Sequence, residues 1–475
     1  NFTRALPPME GPVLFQGRHV MGTIQKWSAR KAALEILRRM EARASSPREA
    51  AEHFFHGHED IPEQERAFAR DLVNGVLQRL NTLDWALDRF AKPRMEKLDP
   101  DVRAALRLGA LQILFWRERV PAYAALNETV DLLKGRGHAG RLSFVNAVLR
   151  TLERERERLP WPSPSQNEAR ALALKYSHPE WMVARWLDRW GAAETLKILE
   201  ANNAPAPLCL RVNTLRITRE GLADVLLLDG MNVSLSSVSV DGMRVTGMSA
   251  LTELKAYREG YFMVQDEASQ LAAQALAPEP GETVLDLCAA PGGKTTHLVQ
   301  LMNDRGRVVA LDISREKLKL VNANVTRLGL RNVEMKDMAA RWAGKHFEGQ
   351  ADRVLVDAPC SSLGIIRRRP DVRWNKTEEQ VTKVLPIQQR EALEGAAKCL
   401  RPGGVLVYST CTFEPEETSE MVNSFLKKHP DFSRDALPFT TENVLSDAIT
   451  DEGDLLLLPH RHGTDGFFIA RLKKG

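Results

Sequence analysis

Residues 284–296 of this 475-residue chain have the sequence VLDLCAAPGGKTT. A short run of apolar residues is followed by several small residues, and a stretch of helical character comes after them. This order is typical of a buried parallel strand that turns into a helix at its carboxyl end. Small residues at such a turn let a ligand approach the backbone, and the first turn of the helix presents free N–H donors. We therefore predict a ligand site at this turn.

Similar short apolar runs recur downstream, and helical stretches separate them. They are residues 308–312, 333–335, 354–357 and 405–408. Strands alternating with helices predict a doubly wound, Rossmann-like α/β domain, which we assign to residues 257–475. Three of its strands end in an aspartate: Asp286, Asp312 and Asp357. We expect these acids at the ligand-binding edge of the sheet, because the carboxyl ends of parallel strands share one edge.

The turn does not fit two common nucleotide motifs. Gly293-Lys294-Thr295 also occurs in P-loops, but a P-loop needs a glycine five residues before Gly293, where this chain has Cys288. The Rossmann pattern G-x-G-x-x-G is missing as well. Asp312 can hold two ribose hydroxyls or, alternatively, cap the helix that follows. Asp337, after the third strand, is placed to contact an adenine.

Two helix-containing regions precede this domain. Residues 24–160 show only helical periodicity, and from Lys26 to Pro160 they carry 25 basic against 20 acidic residues. Residues 161–256 predict a small α+β module, with a strand at 208–213 and a helix at 220–228. Residues 1–23 are aperiodic and are predicted to be a tag or a disordered terminus.

The composition excludes several classes of protein. The net charge is only +4 and 43% of the residues are hydrophobic, so a disordered tail protein is excluded. No apolar run is long enough for a membrane span. The five cysteines are an odd number and none lies in a C-x-x-C pair, so we expect a reducing cytoplasm and no metal site.

Two cysteines stand at the ends of consecutive predicted strands. Cys360 follows Asp357, and Cys411 follows the last apolar run. Buried cysteines are usually inert, but two of them at strand ends beside a cofactor-type turn indicate chemistry. A thiolate is a suitable nucleophile for addition to an electron-poor ring.

These motifs resemble a known family. DLCAAPGGK (286–294), DAPCS (357–361) and STC (409–411) are similar to the RNA cytosine-C5 methyltransferases that use S-adenosylmethionine. VPAYAALNETV (120–130) and FVNAVLR (144–150) resemble the NusB-type helical RNA-binding domain. Together they resemble the bacterial RsmB (Sun/Fmu) family of 16S ribosomal RNA cytosine-C5 methyltransferases, whose middle segment is a small RRM-like module.

The resemblance implies a role for each matching residue. Cys411 would attack C6 of the cytosine, Cys360 would assist loss of the C5 proton and enzyme release, and Asp357 would bind the base. The cofactor contacts would come from the turn, the strand ends and Asp357: Cys288, Ala289, Ala290, Pro291, Gly292, Gly293, Lys294, Asp312, Asp337 and Asp357. DNA cytosine methyltransferases use the Pro-Cys cysteine as nucleophile, so the Pro-Cys motif alone leaves the choice open; the helical domain and the presence of the second motif favour Cys411.

Further expectations concern the partner. We expect a cytoplasmic monomer that acts on 16S ribosomal RNA or a small-subunit assembly intermediate, on a cytosine flipped out of any duplex. Transfer RNA is the alternative substrate, and a non-catalytic NusB-like RNA-binding factor is the alternative class. The cluster Arg367–Trp374 is predicted to contact RNA. Arg211 and Asn213 either face RNA or lie in a partly exposed strand.

Overall fold

A computed structural model of the chain describes residues 27–43, 45–135, 139–247, 251–439 and 445–475. The predicted tag, residues 1–23, lies outside them. The chain divides into two compact units. The first contains the described residues up to Pro205 together with Arg367–Asn375, and the second contains Ala206–Ile366 and Lys376–Gly475. The domain boundaries after residues 160 and 256 stay predictions.

The first unit is a bundle of helices around an apolar core. Its helices are α1 (Ala29–Arg43), α2 (Pro47–His56), α3 (Glu63–Leu87), α4 (Pro100–Phe115), α5 (Ala122–Asp131), α6 (Ala139–Glu155), α7 (Glu168–Tyr176) and α8 (Glu180–Asn203). Ser46 and Glu49 form a capping box at the start of α2, and Asp99 caps α4 with Pro100 in its first turn. The all-helical prediction is confirmed for the described part of residues 24–160.

The second unit begins with a small antiparallel sheet. Its elements are β1 (Leu208–Val212), α9 (Arg219–Leu228), β2 (Asn232–Leu235), β3 (Gly242–Thr246), α10 (Lys255–Arg258) and β4 (Phe262–Val264). The strand order is β2-β3-β1-β4. Leu222 and Leu226 of α9 are buried in a core with Leu210 and Met243 of the strands. The small α+β module predicted here is confirmed.

The second unit continues into the large sheet and the helices that cover it. The elements are α11 (Glu267–Leu276), β5 (Thr283–Asp286), α12 (Gly293–Leu301), β6 (Arg307–Asp312), α13 (Arg315–Leu328), β7 (Val333–Asp337), α14 (Ala343–His346), β8 (Ala351–Asp357), α15 (Leu385–Cys399), β9 (Leu400–Thr410), α16 (Ser419–Lys428), β10 (Phe432–Arg434), β11 (Leu455–Leu457), α17 (Pro459–His462) and β12 (Phe467–Lys474).

The topology of the large sheet fixes where a ligand binds. Its strand order is β10-β12-β9-β8-β5-β6-β7, with β11 paired to β12. The run from β9 to β7 is parallel, and β12 is antiparallel to β9. From β5 the chain first builds outward through β6 and β7, and it then crosses to β8 on the other side. The carboxyl edge between β5 and β8 is therefore the switch point where such sheets bind ligands.

Both faces of this sheet are covered, which explains its apolar strands. Val284 packs into one buried cluster with Leu271 of α11, and its neighbour Leu285 packs into another with Leu393 of α15. Alternate residues of a strand face opposite sides, so a strand buried on both sides is apolar throughout. The doubly wound α/β prediction is confirmed. Among the described residues, no helix has the length and apolar character needed to cross a membrane.

Candidate active site

The turn between β5 and α12 brings backbone to the ligand edge of the sheet. Gly292 adopts φ +100°, a left-handed conformation that favours glycine, and it forms the N-cap of α12. A Cβ on Gly292 would lie 3.1 Å from Val321 Cα, so the turn also packs closely on α13. The amide of Ala289 donates to Leu311 O at 2.9 Å, which ties the turn to β6. The N-terminus of α12 thus faces the ligand edge with free N–H groups.

Asp286 lies at the end of β5 beneath this turn. It is fully buried, and the Thr295 hydroxyl donates to its Oδ2 at 2.7 Å. Burial raises the pKa of Asp286 to about 6, from 3.8 for a free aspartate, while the Thr295 hydrogen bond acts in the opposite direction. This aspartate therefore holds the first turn of α12 from within the fold, and it does not face the ligand edge directly.

Asp312 and Asp337 are paired across the ends of β6 and β7. Asp312 accepts from Ser314 N at 2.9 Å, but Ser314 is the residue that caps α13, so the alternative reading of Asp312 as the cap is wrong. Asp337 is exposed and pairs with Arg315 at 2.5 Å. The two carboxylates therefore stand side by side at the edge, next to the glycine turn.

Lys294 and Asp357 form an ion pair between α12 and the end of β8. Lys294 Nζ lies 2.6 Å from Asp357 Oδ2, and only 11% of the lysine side chain is exposed. Ser409 donates to the other carboxylate oxygen, Oδ1, at 2.9 Å. The ammonium group also lies 5.0 Å from the centre of the Phe467 ring. The structure thus brings the predicted turn lysine and the predicted base-binding acid into direct contact.

Cys360 and Cys411 meet at the ends of β8 and β9. Their Sγ atoms are 3.4 Å apart. The hydrogen bond from the Cys360 thiol lowers the pKa of Cys411, and the Ser362 hydroxyl, 3.4 Å from Cys411 Sγ, acts in the same direction. The same Cys360–Cys411 contact, together with burial, raises the pKa of Cys360. The pair therefore favours a thiolate on Cys411 and a thiol on Cys360.

The loop that carries Cys360 has an unusual backbone conformation. Ser362 adopts φ +62° without being a glycine, which costs about 1–2 kcal/mol. This conformation accompanies the hydroxyl contact with Cys411 Sγ, and backbone strain of this kind concentrates at functional sites. The other cysteines have no such surroundings. Burial raises the pKa of Cys399 to about 12 and also raises that of Cys288, so both are unreactive thiols.

Within the cluster Arg367–Trp374, the predicted RNA contact is wrong for Arg373, which is buried, and for Trp374, which is partly buried against the first unit; Arg369 is exposed, and contact by Arg367–Arg369 stays a prediction. Arg373 is fully buried in the first unit, where it donates to Ser177 O at 2.8 Å. Trp374 donates to Leu77 O at 2.6 Å in the same unit. Arg211 and Asn213 are also buried, and Arg211 donates to the Gly293 carbonyl and to Thr296 Oγ1. Arg211 therefore supports the turn at the start of α12 from below.

Several contributors to the site were missed from the sequence. Ser361 directly follows Cys360 within the motif DAPCS, so its place there was a usable signal, and Thr412 directly follows Cys411. Ser409 lies two residues before Cys411 and was quoted without a role. Glu417 gave no signal, because an acid in a charged, Pro-containing stretch usually lies at the surface. In the described part of the chain, no group of three or more His, Cys, Asp or Glu residues could hold a metal ion.

Family models match three successive regions of the chain. The model described as 16S rRNA methyltransferase RsmB/F matches residues 273–473. The NusB family model matches residues 27–154, and a ferredoxin-like domain of RsmF/B-like methyltransferases matches residues 178–252. The predicted order of domains along the chain, a NusB-like bundle, a small α+β module and a methyltransferase domain, is thereby confirmed.

Full-length relatives and solved structures give the same result. The chain is 38% identical to the probable ribosomal RNA small subunit methyltransferase B of Bacillus subtilis, over 95% of this chain and 100% of that protein. It is 33% identical to the ribosomal RNA small subunit methyltransferase B of Serratia proteamaculans, over 87% and 92%. The crystal structure of PH0851 superposes with a TM-score of 0.80 at 31% identity, over 94% of this chain and 98% of that one. NSun6 from Pyrococcus horikoshii, solved with SFG, has a TM-score of 0.57 at 27% identity, over 62% of this chain and 98% of that one.

Proposed function

Because this chain belongs to the RsmB/F methyltransferase family, we propose that it methylates C5 of a cytosine in 16S ribosomal RNA through a covalent adduct with Cys411. The observation that carries the proposal is the pair of thiols with Sγ atoms 3.4 Å apart at the ends of β8 and β9. Thiol addition suits a pyrimidine ring, which is electron-poor at C6. Two adjacent thiols with opposite pKa shifts also suit a reaction that needs one nucleophile and one proton acceptor.

S-adenosylmethionine is the cofactor of this family, and the residues at the ligand edge fit it. The glycine turn leaves space beside the α12 N-terminus, and a Cβ on Gly293 would meet nothing closer than 3.6 Å. We assign the methionine part to Cys288–Lys294, the ribose to Asp312 and the adenine side to Asp337. When bound there, the cofactor supplies an activated methyl group.

The protein's own groups then divide the remaining work. The Cys411 thiolate adds to C6, so an S–C6 bond forms and the electron pair moves to C5, which becomes the methyl acceptor. Asp357 hydrogen-bonds the base near N3, and Lys294 holds Asp357 in place. Cys360 assists removal of the C5 proton, the C5–C6 double bond re-forms, and Cys411 leaves as a thiolate.

The choice of RNA rests on the relatives and on the domain content. Two of the most similar curated proteins are named for the small ribosomal subunit, and a NusB-type domain accompanies the methyltransferase domain. We therefore propose 16S ribosomal RNA, free or in an assembly intermediate, as the substrate. The target cytosine must be flipped out or single-stranded, because C6 is not reachable inside a duplex. The monomeric state and the cytoplasmic location stay predictions.

Tritiated S-adenosylmethionine and total RNA from cells lacking the enzyme test the proposal. We expect label in 16S RNA, and we expect digestion to release it as 5-methylcytosine. Label confined to transfer RNA would overturn the substrate but leave the chemistry. If no RNA is labelled, free or within assembling subunits, although the cofactor binds, the non-catalytic alternative holds.

Variants of the two cysteines test the mechanism separately. Cys411→Ala should form no covalent complex with the RNA, because no thiol remains to add to C6. Cys360→Ala should accumulate the complex, because release is impaired; denaturing gel electrophoresis with labelled RNA measures both. A covalent complex formed by Cys411→Ala, and lost in Cys360→Ala, would instead make Cys360 the nucleophile.

A further inference from the structure

Glu417 is a buried acid that belongs to neither the cofactor site nor the thiol pair. It lies in a short helical turn, Pro415–Glu417, six residues after Cys411, and none of its surface is exposed. Burial raises its pKa. Carboxyl groups are rarely buried unless specific donors surround them, because the charged form loses its hydration. The donors around Glu417 therefore indicate its role.

Those donors belong to the residues next to Cys360. The amide N–H of Ser361 donates to Glu417 Oε1 at 2.8 Å, and the Ser361 hydroxyl donates to Oε2. Gln389 Nε2 donates to Oε1 at 2.9 Å, and it also reaches Pro359 O at 3.0 Å. The carboxyl group and Gln389 thus hold the residues on both sides of Cys360.

The same network reaches the loop of Cys411. Ser361 Oγ lies 2.9 Å from the hydroxyl oxygen of Thr412, the residue after Cys411. Glu417 is itself anchored to β9, because the Tyr408 hydroxyl donates to its carbonyl oxygen at 2.8 Å. One side chain is therefore linked to both cysteine loops within the same buried cluster.

We infer that Glu417 is a positioning residue that sets the separation of the Cys360 and Cys411 thiols. The expected effect on turnover rests on the proposed function, whereas the expected effect on the thiol separation does not. Without the carboxylate, the buried Ser361 N–H loses its acceptor, and the Cys360 loop shifts so that this N–H can reach another acceptor. The thiols would then no longer be held at 3.4 Å, and both the lowered pKa of Cys411 and the proton acceptor would be lost.

The test compares Glu417→Ala and Glu417→Gln with Glu420→Ala, a control at an exposed acid three residues away. Phenylarsine oxide serves as the probe of thiol separation, because it binds tightly only when two sulfurs reach the same arsenic atom. Its second As–S bond is intramolecular, so we expect Glu417→Ala to weaken binding by at least about 10-fold. Glu417→Gln keeps an acceptor for Ser361 N–H and should retain most of the affinity, and Glu420→Ala should retain all of it.

Turnover gives the second readout. A displacement of the thiols by about 1 Å should lower kcat about 10²-fold in Glu417→Ala, while KM for S-adenosylmethionine stays unchanged. Wild-type arsenical affinity and kcat in Glu417→Ala would overturn the inference, and so would a KM rise that matches the fall in kcat. If Glu417→Ala does not fold, Thr412→Val removes the hydroxyl link alone; unchanged arsenical affinity and kcat there would also overturn it.

The arsenical measurement needs neither RNA nor methyl transfer. If the wild-type protein methylates no cytosine but Glu417→Ala still loses arsenical affinity, the proposed function fails and the positioning role stands. If cytosine methylation is found and the arsenical affinity of both Glu417→Ala and Thr412→Val equals that of the wild type, the positioning role fails alone.

Discussion

Gly364 is the residue at which the smallest change should separate the two thiols. It lies four residues after Cys360, its N–H donates to Cys411 O at 3.0 Å, and its carbonyl accepts from Gly466 N at 2.8 Å. A Cβ at Gly364 would overlap Gly466 O, would lie 2.6 Å from Gly466 C, and would lie 2.9 Å from Cys411 O. No flexible side chain is available to move aside, because all of these atoms belong to the backbone.

The magnitude follows from that overlap. The contact with Gly466 C is 0.8 Å closer than the 3.4 Å at which ordinary van der Waals contact begins. In Gly364→Ala the Cys360 loop must therefore move away from Gly466 and from Cys411 O by at least 0.8 Å, because Gly466 O is closer still. A misplacement of about 1 Å costs about 10²-fold in rate, or about 2.7 kcal/mol of transition-state stabilisation.

Steady-state transfer of tritiated methyl groups to the RNA substrate measures the effect. We expect kcat to fall about 10²-fold, with KM for S-adenosylmethionine unchanged, because the change leaves the glycine turn before α12 untouched. Gly140→Ala is the matched control: it lies in α6, and its added Cβ would meet no atom within 4 Å. Wild-type kcat in a folded Gly364→Ala protein would refute the reasoning. A loss of cofactor binding equal to the loss of rate would refute it as well, since the damage would then not be confined to the thiols.

Two further predictions concern buried charge. Asp286 has a pKa of about 6 in the folded protein against 3.8 when free, so its contribution to stability is present at low pH and is lost as the pH rises from about 4 to about 6. The unfolding free energy of Asp286→Asn should therefore rise by up to about 3 kcal/mol relative to that of the wild type across this range. Urea unfolding at a series of pH values measures the difference. An equal difference at every pH would contradict this assignment. Arg373→Met should lower the unfolding free energy by about 3 kcal/mol, because it leaves buried acceptors such as Ser177 O unpaired. The control Arg158→Met, at a side chain that is 83% exposed, should change it by no more than about 0.5 kcal/mol. Equal effects of the two changes would show that the Arg373 hydrogen bonds do not stabilise the fold.

The sequence predicted the parts of the site that depend on local order along the chain. Apolar runs that end in an acid predicted the parallel strands, and the topology then brought Asp312 and Asp337 side by side. The small residues of the turn predicted a backbone approach, and Gly292 does adopt a left-handed conformation there. These predictions hold because a doubly wound sheet converts strand order into spatial neighbourhood.

What the sequence could not supply is the burial of individual charges. Arg373 was expected to contact RNA, and Arg211 was expected either to face RNA or to lie in a partly exposed strand. Both are instead buried and donate to groups far away along the chain. Glu417 was passed over for the opposite reason, since its Pro-Glu-Glu neighbourhood is typical of a solvated surface. In each case the donors or acceptors that compensate the loss of hydration come from another segment, and no spacing rule reports them.

The order in which the two thiols lose their protons follows from their contact. While Cys411 is a thiolate, its charge and its hydrogen bond with Cys360 keep the Cys360 proton in place. On the proposed mechanism, addition to C6 consumes that charge and turns Cys411 into a thioether. The main cause that raised the pKa of Cys360 is then gone, so the Cys360 thiol can release its own proton to solvent. The Cys360 thiolate left behind can then accept the C5 proton when that proton leaves. Because the two sulfurs lie 3.4 Å apart, formation of the bond between Cys411 and C6 thus prepares Cys360 for the proton removal that later allows this bond to break.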